Sequence, residues 1–363
     1  MKIIHCADLH LDSAMESSLT AAQAKIRRDE LLDAYERMVS YAEDQGVSVI
    51  LLCGDVFDKP HIRKAAKERF LDQIRLHPDI DFLYLQGNHD RADFFSELSE
   101  EEFPANLKLF SRNDWTAYDY GDVVITGREI DESNQSTIAM DLILDGMKTN
   151  IVMLHGEDTS SGAANGGYSI DLSSLRGRNI DYLALGHIHS YRCERLDDRG
   201  VCCYSGCLEG RGFDELGEKG FVLLSVEDGK IESTFIPTSR RVFRELEIPV
   251  VPEDTMADIA ARVEEQIQAI PGKDLVKVVF TGHTDMDFDI DRFRIGRMLS
   301  DRFFYDRCED RTSAVIDYDS FAKDHSLKGE FVRLMQEKEP DEQRRALIIE
   351  IGVRAIMGEE IEE

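Results

Sequence analysis

A chain of 363 residues with 42% apolar content can bury a large core and has room for more than one domain. Its formal charge of -29, with 72 acidic against 43 basic side chains, opposes unaided binding to DNA phosphates except where basic residues cluster. No apolar run approaches a membrane span, the chain enters a strand with no room for a signal peptide, and seven cysteines in mostly apolar settings do not suggest a disulfide framework, so a soluble protein of the reducing cytoplasm is expected.

Residues 2–7 read as a buried strand running into Asp8-Leu9-His10. A polar loop after Asp12 leads to a helix over 21–45, with Leu31, Tyr35, Met38, Val39 and Ala42 on one face. A second parallel strand, 47–53, ends at Gly54-Asp55-Val56-Phe57-Asp58. Residues 59–69 form the most basic stretch, which reads equally as a track for a DNA backbone or as a solvated helix start with i,i+4 charge pairs. A third strand, 82–86, stops abruptly at Gly87-Asn88-His89-Asp90.

Residues 91–114 are charged and loop-like, and antiparallel edge strands are expected around Leu107, over 123–127 and over 136–142. The run 150–154 ends at His155-Gly156, and the Gly-rich segment 156–167 reads as a flexible lip over a site. It lacks the Gly-Lys-Ser/Thr ending of a phosphate cradle. The run 180–185 ends at Gly186-His187-Ile188-His189. Hairpin strands over 201–205 and 221–226 follow, and Asp228-Gly229 marks a tight turn into 231–236. Cys193, Cys202, Cys203 and Cys207 lack paired Cys-x-x-Cys knuckles, so alternating hairpin positions explain them better than a zinc site.

Residues 237–241 look like a domain boundary. Beyond it the pattern is strand 242–249, helix 255–270, strand 275–281, helix 291–303 and strand 314–318, with Pro271-Gly272 terminating the first helix. Two tail helices, 327–336 and 343–357, flank Pro340. The first carries an apolar stripe of Phe331, Leu334 and Met335, and the second is apolar on more than one face, so the tail either folds back or meets a partner.

Five strand-like runs thus end in carboxylate, amide or imidazole groups, and helix-sized spacers separate several of them. Each block alone reads as turn chemistry or a satisfied histidine, but five together point to a metal centre at the C-terminal edge of an α/β sheet.

Asp8-x-His10, Gly54-Asp55-x-x-Asp58, Gly87-Asn88-His89-Asp90, His155 and Gly186-His187-x-His189 resemble the five signature blocks of the calcineurin-like metallophosphoesterases. Within them the chain is similar to the SbcD-type DNA-repair exonucleases, including the branch called YhaO, and residues 206–215 followed by 218–221 resemble a stretch of that branch. The resemblance implies an α/β fold: a four-layer α-β-β-α sandwich over 1–240, a small α+β capping domain over 241–325 and a helical partner-binding tail over 326–363. It further implies two divalent metal ions, with Asp55 bridging, Asp8, His10 and His189 completing one site, and Asn88, His155 and His187 the other.

On the same pattern His89 is not a ligand. It faces the scissile phosphate as a general acid or charge stabiliser, with Asp90 orienting its ring. The ligand mix suits manganese best; magnesium prefers more oxygen, and iron and zinc stay open. Asp58 stands where some relatives carry a second histidine. The implied activity is a manganese-dependent DNA exonuclease or endonuclease acting on single strands and duplex ends, partnered by an SbcC-like coiled-coil ATPase, with a homodimer left open. The alternatives are a metallophosphatase or small-nucleotide phosphodiesterase and a non-catalytic scaffold. The protein-phosphatase form would show Gly-Asp-x-x-Asp-Arg-Gly and Gly-Asn-His-Glu, whereas Lys59-Pro60 follow Asp58 and Asp90 follows His89. A scaffold would not need every ligand position filled.

Overall fold

The computed structural model describes residues 1–363 apart from 16–18, 59–61, 91–94, 96–97, 160–166, 286–287, 316–322 and 358–363. It divides into two compact units, Met1–Phe243 and Arg244–Glu363. The expected boundary near 240 lies just before this division, and residues 326–363 fall within the second unit.

In the first unit β1 (Lys2–Cys6), β2 (Val49–Cys53) and β3 (Asp81–Leu85) are joined by α1 (Ala21–Gln45) and α2 (Lys64–Leu76). Helical crossovers return the chain in the same direction, so the three strands pair in parallel, with Ile3 opposite Val49 and Val49 opposite Asp81. Thr20 starts α1 through a capping box with Gln23, and Gly46, at φ 64°, ends it. The face bearing Leu31, Tyr35, Met38, Val39 and Ala42 is buried, as the spacing predicts.

The first sheet runs β14-β13-β1-β2-β3-β4, where β4 is Leu107–Leu109, β13 Gly220–Glu227 and β14 Lys230–Pro237. The second runs β11-β12-β10-β7-β6-β5: β5 is Thr116–Tyr120, β6 Val123–Gly127, β7 Thr149–His155, β10 Tyr182–Gly186, β11 Arg192–Arg195 and β12 Val201–Tyr204. Two short strands, β8 (Glu157–Asp158) and β9 (Ser169–Ile170), pair with each other.

Strand alternation distributes the apolar residues over three cores. Ile4, Ile50, Leu52 and Phe82 meet the helices, whereas Ile3, Val49, Leu51 and Leu83 face Ile125, Ile151, Met153 and Ala184 of the second sheet. The outer face of the second sheet is covered by Ile138, Ala139, Leu142, Leu172 and Leu175, from turns and a short 3-10 helix. The chain is therefore a mixed α/β protein with two six-stranded sheets packed face to face.

Three expectations are corrected. Residues 136–142 form turns and not a strand. Ile138, Ala139 and Leu142 are buried at helix-like spacing without alternation, and the true edge strand is β5. Leu107–Leu109 pairs in parallel with β3. Residues 201–205 and 221–226 do not form a hairpin, because β12 pairs with β10 and β11 while β13 crosses to the other sheet and pairs with β1 and β14. The Asp228-Gly229 turn is present, with φ values of 49° and 75°. Of the basic stretch 59–69, residues 59–61 lie outside the described residues, as do 160–166 of the lip. Arg63 pairs with Asp12, and Arg69 with Asp33 and Glu36.

The second unit holds β15 (Phe243–Val250), which starts at the division, α3 (Met256–Ile267), β16 (Leu275–Asp285), α4 (Arg292–Ser300), β17 (Tyr305–Asp310) and β18 (Ser313–Val315). Its sheet order is β15-β16-β17, with β18 also on β16. Ile248, Ile259, Val263, Val278, Phe280 and Ile295 form its core. The polar strand β17 escaped the sequence reading because Tyr-Asp-Arg-Cys-Glu-Asp carries no apolar alternation. The tail forms α5 (Leu327–Lys338) and α6 (Glu342–Met357), which bury Val332, Ile349 and Val353 against each other. No described helix is long and apolar enough to cross a membrane.

Candidate metal centre

The parallel strands β1, β2, β3, β7 and β10 all deliver their chemistry from their C-terminal ends. The segments after β1 and β2 run side by side, with Asp8 N–H donating to Gly54 O at 3.0 Å and His10 N–H to Asp55 O at 3.0 Å. Asp8, His10, Asp55 and His187 have φ values of 52°, 43°, 52° and 103°. Left-handed backbone at four non-glycine residues is costly and clusters where function requires it. Two glycines allow the close approach. A Cβ on Gly87 would stand 2.1 Å from Asp55 Oδ1, and one on Gly186 would stand 2.0 Å from Cys53 O.

One donor group comprises Asp8, His10 and His189, whose ligand atoms lie within 4.8 Å of one another. His10 turns Nδ1 to Asp58 Oδ1 at 2.5 Å, and His189 turns Nδ1 to Glu215 Oε1 at 2.6 Å. A carboxylate takes the N–H of each ring, so both Nε2 lone pairs point inward, 3.1 Å apart. Two facing lone pairs need a shared positive charge. Their spacing matches adjacent positions on one octahedral ion with bonds of about 2.1 Å. Both oxygens of Asp8 accept from His187 N–H, at 2.9 and 3.0 Å. Burial pushes the Asp8 carboxyl up to about 6 despite His155 and His189.

The other group comprises Asp55, His155 and His187, again within 4.8 Å. His155 donates from Nδ1 to Cys53 O at 2.9 Å, leaving Nε2 facing Asn88 Oδ1 at 3.0 Å and Asp55 Oδ2 at 3.3 Å. His187 Nδ1 is 3.3 Å from the same Asn88 oxygen. Burial alone would lower the His155 pKa, but Asp55 outweighs it and raises the ring to about 9. The same attraction holds Asp55 ionised against the upward push of its burial. The pocket therefore demands positive charge, and a mixture of carboxylate, amide and imidazole donors fits a divalent cation in each group.

The His89 side chain is 52% exposed, with Nδ1 3.6 Å from Asp58 Oδ1 and its ring edge-on to His10 at 5.3 Å. The expectation that Asp90 orients this ring is corrected. Asp90 is buried and accepts Phe57 N–H and Gly87 N–H, both at 2.9 Å, one on each oxygen. It ties the loop after β2 to the loop after β3. Its burial, reinforced by Asp55, raises its carboxyl to about 7. The carboxylate that faces His89 is Asp58, and these two residues form a third possible donor group with His10.

Sequence reasoning missed Arg211 and Glu215 as parts of the centre. Arg211 reaches Asp58 Oδ2 at 3.4 Å and Glu215 Oε1 at 3.1 Å, which closes a ring through His10, Asp58, Arg211, Glu215 and His189. The available signal was the i,i+4 Arg-Glu pair inside 206–215. That segment is anchored in turn by the fully buried Arg27, which donates to Glu209 Oε2 at 3.2 Å and to Gly210 O at 2.6 Å.

The sequence pattern of the calcineurin-like phosphoesterases matches residues 1–191, the span that holds both donor groups. The metallophosphoesterase YhaO of Bacillus subtilis is 25% identical over 288 residues, covering 75% of this chain and 69% of the relative. The DNA double-strand break repair protein Mre11 of Sulfolobus acidocaldarius is 20% identical over 285 residues, covering 74% of this chain and 72% of its own. Mre11 of Halobacterium salinarum is 25% identical over 302 residues, covering 80% and 74%. With more than half its length in the family match, the chain belongs to the calcineurin-like phosphoesterases, phosphoester hydrolases that use two divalent metal ions.

Proposed function

We propose that the chain is a manganese-dependent DNA nuclease that hydrolyses phosphodiester bonds at single strands and duplex ends. One cation would be held by Asp8, His10 and His189 and the other by Asn88, His155 and His187, with Asp55 shared between them. The position of Asp55 carries this reading: its Oδ2 is 3.3 Å from His155 Nε2 and 3.9 Å from His10 Nε2, so one carboxylate faces both donor groups. Its Oδ1 is fixed by His89 N–H at 2.8 Å. When bound, two divalent cations supply charge neutralisation at a phosphate and a nucleophilic water at neutral pH.

The chain's own residues do the rest. Asp58 and Glu215 hold the imidazoles with Nε2 inward, as carboxylates behind metal-ligating histidines do. The half-exposed His89 meets the phosphate from outside, stabilising charge or protonating the leaving oxygen, with Asp58 steadying its ring. DNA as substrate is supported by the Mre11 relatives. Manganese is supported by the donor mix.

The charge of -29 supports a DNA-binding partner, read here as an SbcC-like coiled-coil ATPase. Residues 241–325 act as the capping domain in this reading. The tail docks on the partner, and Leu327, Leu334, Leu347 and Ile351 are exposed on its helices. The test is one manganese-loaded preparation assayed on linear duplex DNA, a cyclic nucleotide and a phosphomonoester. Cleavage of DNA is expected, and turnover of the small esters alone would replace this reading with a metallophosphatase or nucleotide phosphodiesterase. Deleting 326–363 should abolish co-purification with the ATPase while short single strands are still cut; loss of metal in the truncated protein would overturn the docking role.

A further inference from the structure

Away from the metal centre, two thiols face each other across a strand pair. β11 and β12 run antiparallel with Cys193 directly opposite Cys203. Opposed residues in such a pair have Cβ atoms about 4.5–5.5 Å apart, and their Cα separation falls in the range a disulfide spans. Alternation along β12 selects the partner. Cys203 turns into the core between the sheets, where Cys193 packs against the same cluster, whereas Cys202 turns to the opposite face and joins the outer core.

Cys193 and Cys203 are both free thiols; Cys203 is fully buried, while Cys193 is half-buried on the edge strand of its sheet. Hydrogen bonds from Cys203, and then from Ser233, outweigh burial and hold the Cys193 thiol down to about 7, while the same bond and burial push Cys203 up. The accessible sulfur is thus the nucleophile and the buried one the resolving thiol.

We propose that Cys193 and Cys203 are a redox-modification site, a dithiol that a small hydroperoxide converts reversibly into a cross-strand disulfide. The Cys193 thiolate attacks one oxygen of hydrogen peroxide and the O–O bond breaks. Sulfur is oxidised to a sulfenic acid, and the departing hydroxide takes up the proton Cys193 had released, giving water. The Cys203 sulfur then attacks the Cys193 sulfur. The S–S bond forms, the S–O bond breaks, and the hydroxide leaves with the Cys203 proton as a second water. In sum, two thiols and one peroxide give one disulfide and two waters.

The test uses the full chain, titrated with hydrogen peroxide, alkylated, digested with trypsin and read by mass spectrometry. Cleavage after Arg192 and Arg195 isolates Cys193, and cleavage after Arg199 and Arg211 leaves Cys202, Cys203 and Cys207 on one peptide. The expected product is a Cys193–Cys203 cross-link lacking two hydrogens, formed while Cys6 and Cys53 remain alkylatable and reversed by dithiothreitol. In Cys203→Ser, Cys193 should stop at a dimedone-reactive sulfenic acid. The wild-type digest decides alone should that variant misfold. A link to Cys202 or Cys207, oxidation of Cys193 to sulfinic acid without a cross-link, or an unreactive Cys193 would overturn the proposal.

Discussion

Glu215→Gln removes one charge and almost no volume from behind the Asp8, His10 and His189 group. The wild-type carboxylate accepts His189 Nδ1–H at 2.6 Å, Arg211 N–H at 2.7 Å and Arg211 Nη2 at 3.1 Å. A glutamine has one acceptor oxygen, so its amide nitrogen must face one of those donors. Losing a charge-assisted bond costs about 1.5–3 kcal/mol. Loss of a carboxylate behind a metal-ligating histidine costs about 10–100-fold in metal affinity, or about 1.4–2.7 kcal/mol; the two figures agree. Calorimetric titration of manganese into chelator-stripped protein should show one of two binding steps weakened by that factor and the other unchanged. Equal weakening of both, or of neither, would refute the assignment of Glu215 to a single site. A stability signature accompanies it. Burial pushes the Glu215 carboxyl up, but the hydrogen bond from His189 and the charge of Arg211 win and hold it at about 2. A carboxylate with a folded pKa below its unfolded value of about 4.3 stabilises the native chain above that pH, and the contribution is lost as pH falls through 2. The metal-free variant should therefore unfold at lower urea than wild type at pH 7, and the gap should close as pH drops towards 2.

Gly87→Ala would put a Cβ 2.1 Å from Asp55 Oδ1 and 2.5 Å from Asp55 N, so both manganese-binding steps should vanish with the circular dichroism spectrum unchanged. Normal binding would show that the loops can yield. Asp55→Asn should remove both ions together in metal analysis of the purified protein, and retention of one tight ion with near-normal hydrolysis would mean that Asp55 does not bridge. Arg27→Met strands Glu30 and Glu209, which Arg27 holds at 2.6 and 3.2 Å, and breaking a buried ion pair costs about 3–5 kcal/mol. The lower end is expected because Arg37 and Arg241 also reach these carboxylates. A urea-unfolding loss under about 1 kcal/mol would contradict the reading.

The sequence disclosed the strands that end in ligands because five buried runs each stop at carboxylate, amide or imidazole groups, a recurrence that separate turns would not produce. Gly87-Asn88-His89-Asp90 is the clearest case. Helix α1 was equally legible, since Thr20, Gly46 and a regular apolar face mark its ends and its buried side. What escaped was set by distance in the chain. Asp58 and Glu215 meet their histidines across 48 and 26 residues, and no local pattern announces such a pairing. The family pattern gives Asp90 to His89, yet its carboxylate accepts the Phe57 and Gly87 amides, which only the closed fold brings near. The crossing of β13 into the first sheet was hidden for the same reason. Two apolar runs separated by a turn-rich segment look like a hairpin unless the partner strand, β1, is known.

His89→Asn, assayed for bound manganese and for cleavage of linear DNA on the same sample, separates holding the metal from using it. In the proposed centre other side chains hold both ions, and His89 faces the substrate from the rim. The variant should therefore bind two manganese ions as tightly as wild type and cleave slower by about 10²–10⁴-fold, the usual contribution of a proton-transferring group. Loss of either ion would make His89 a ligand, and unimpaired cleavage would leave the proposed chemistry without its outer group.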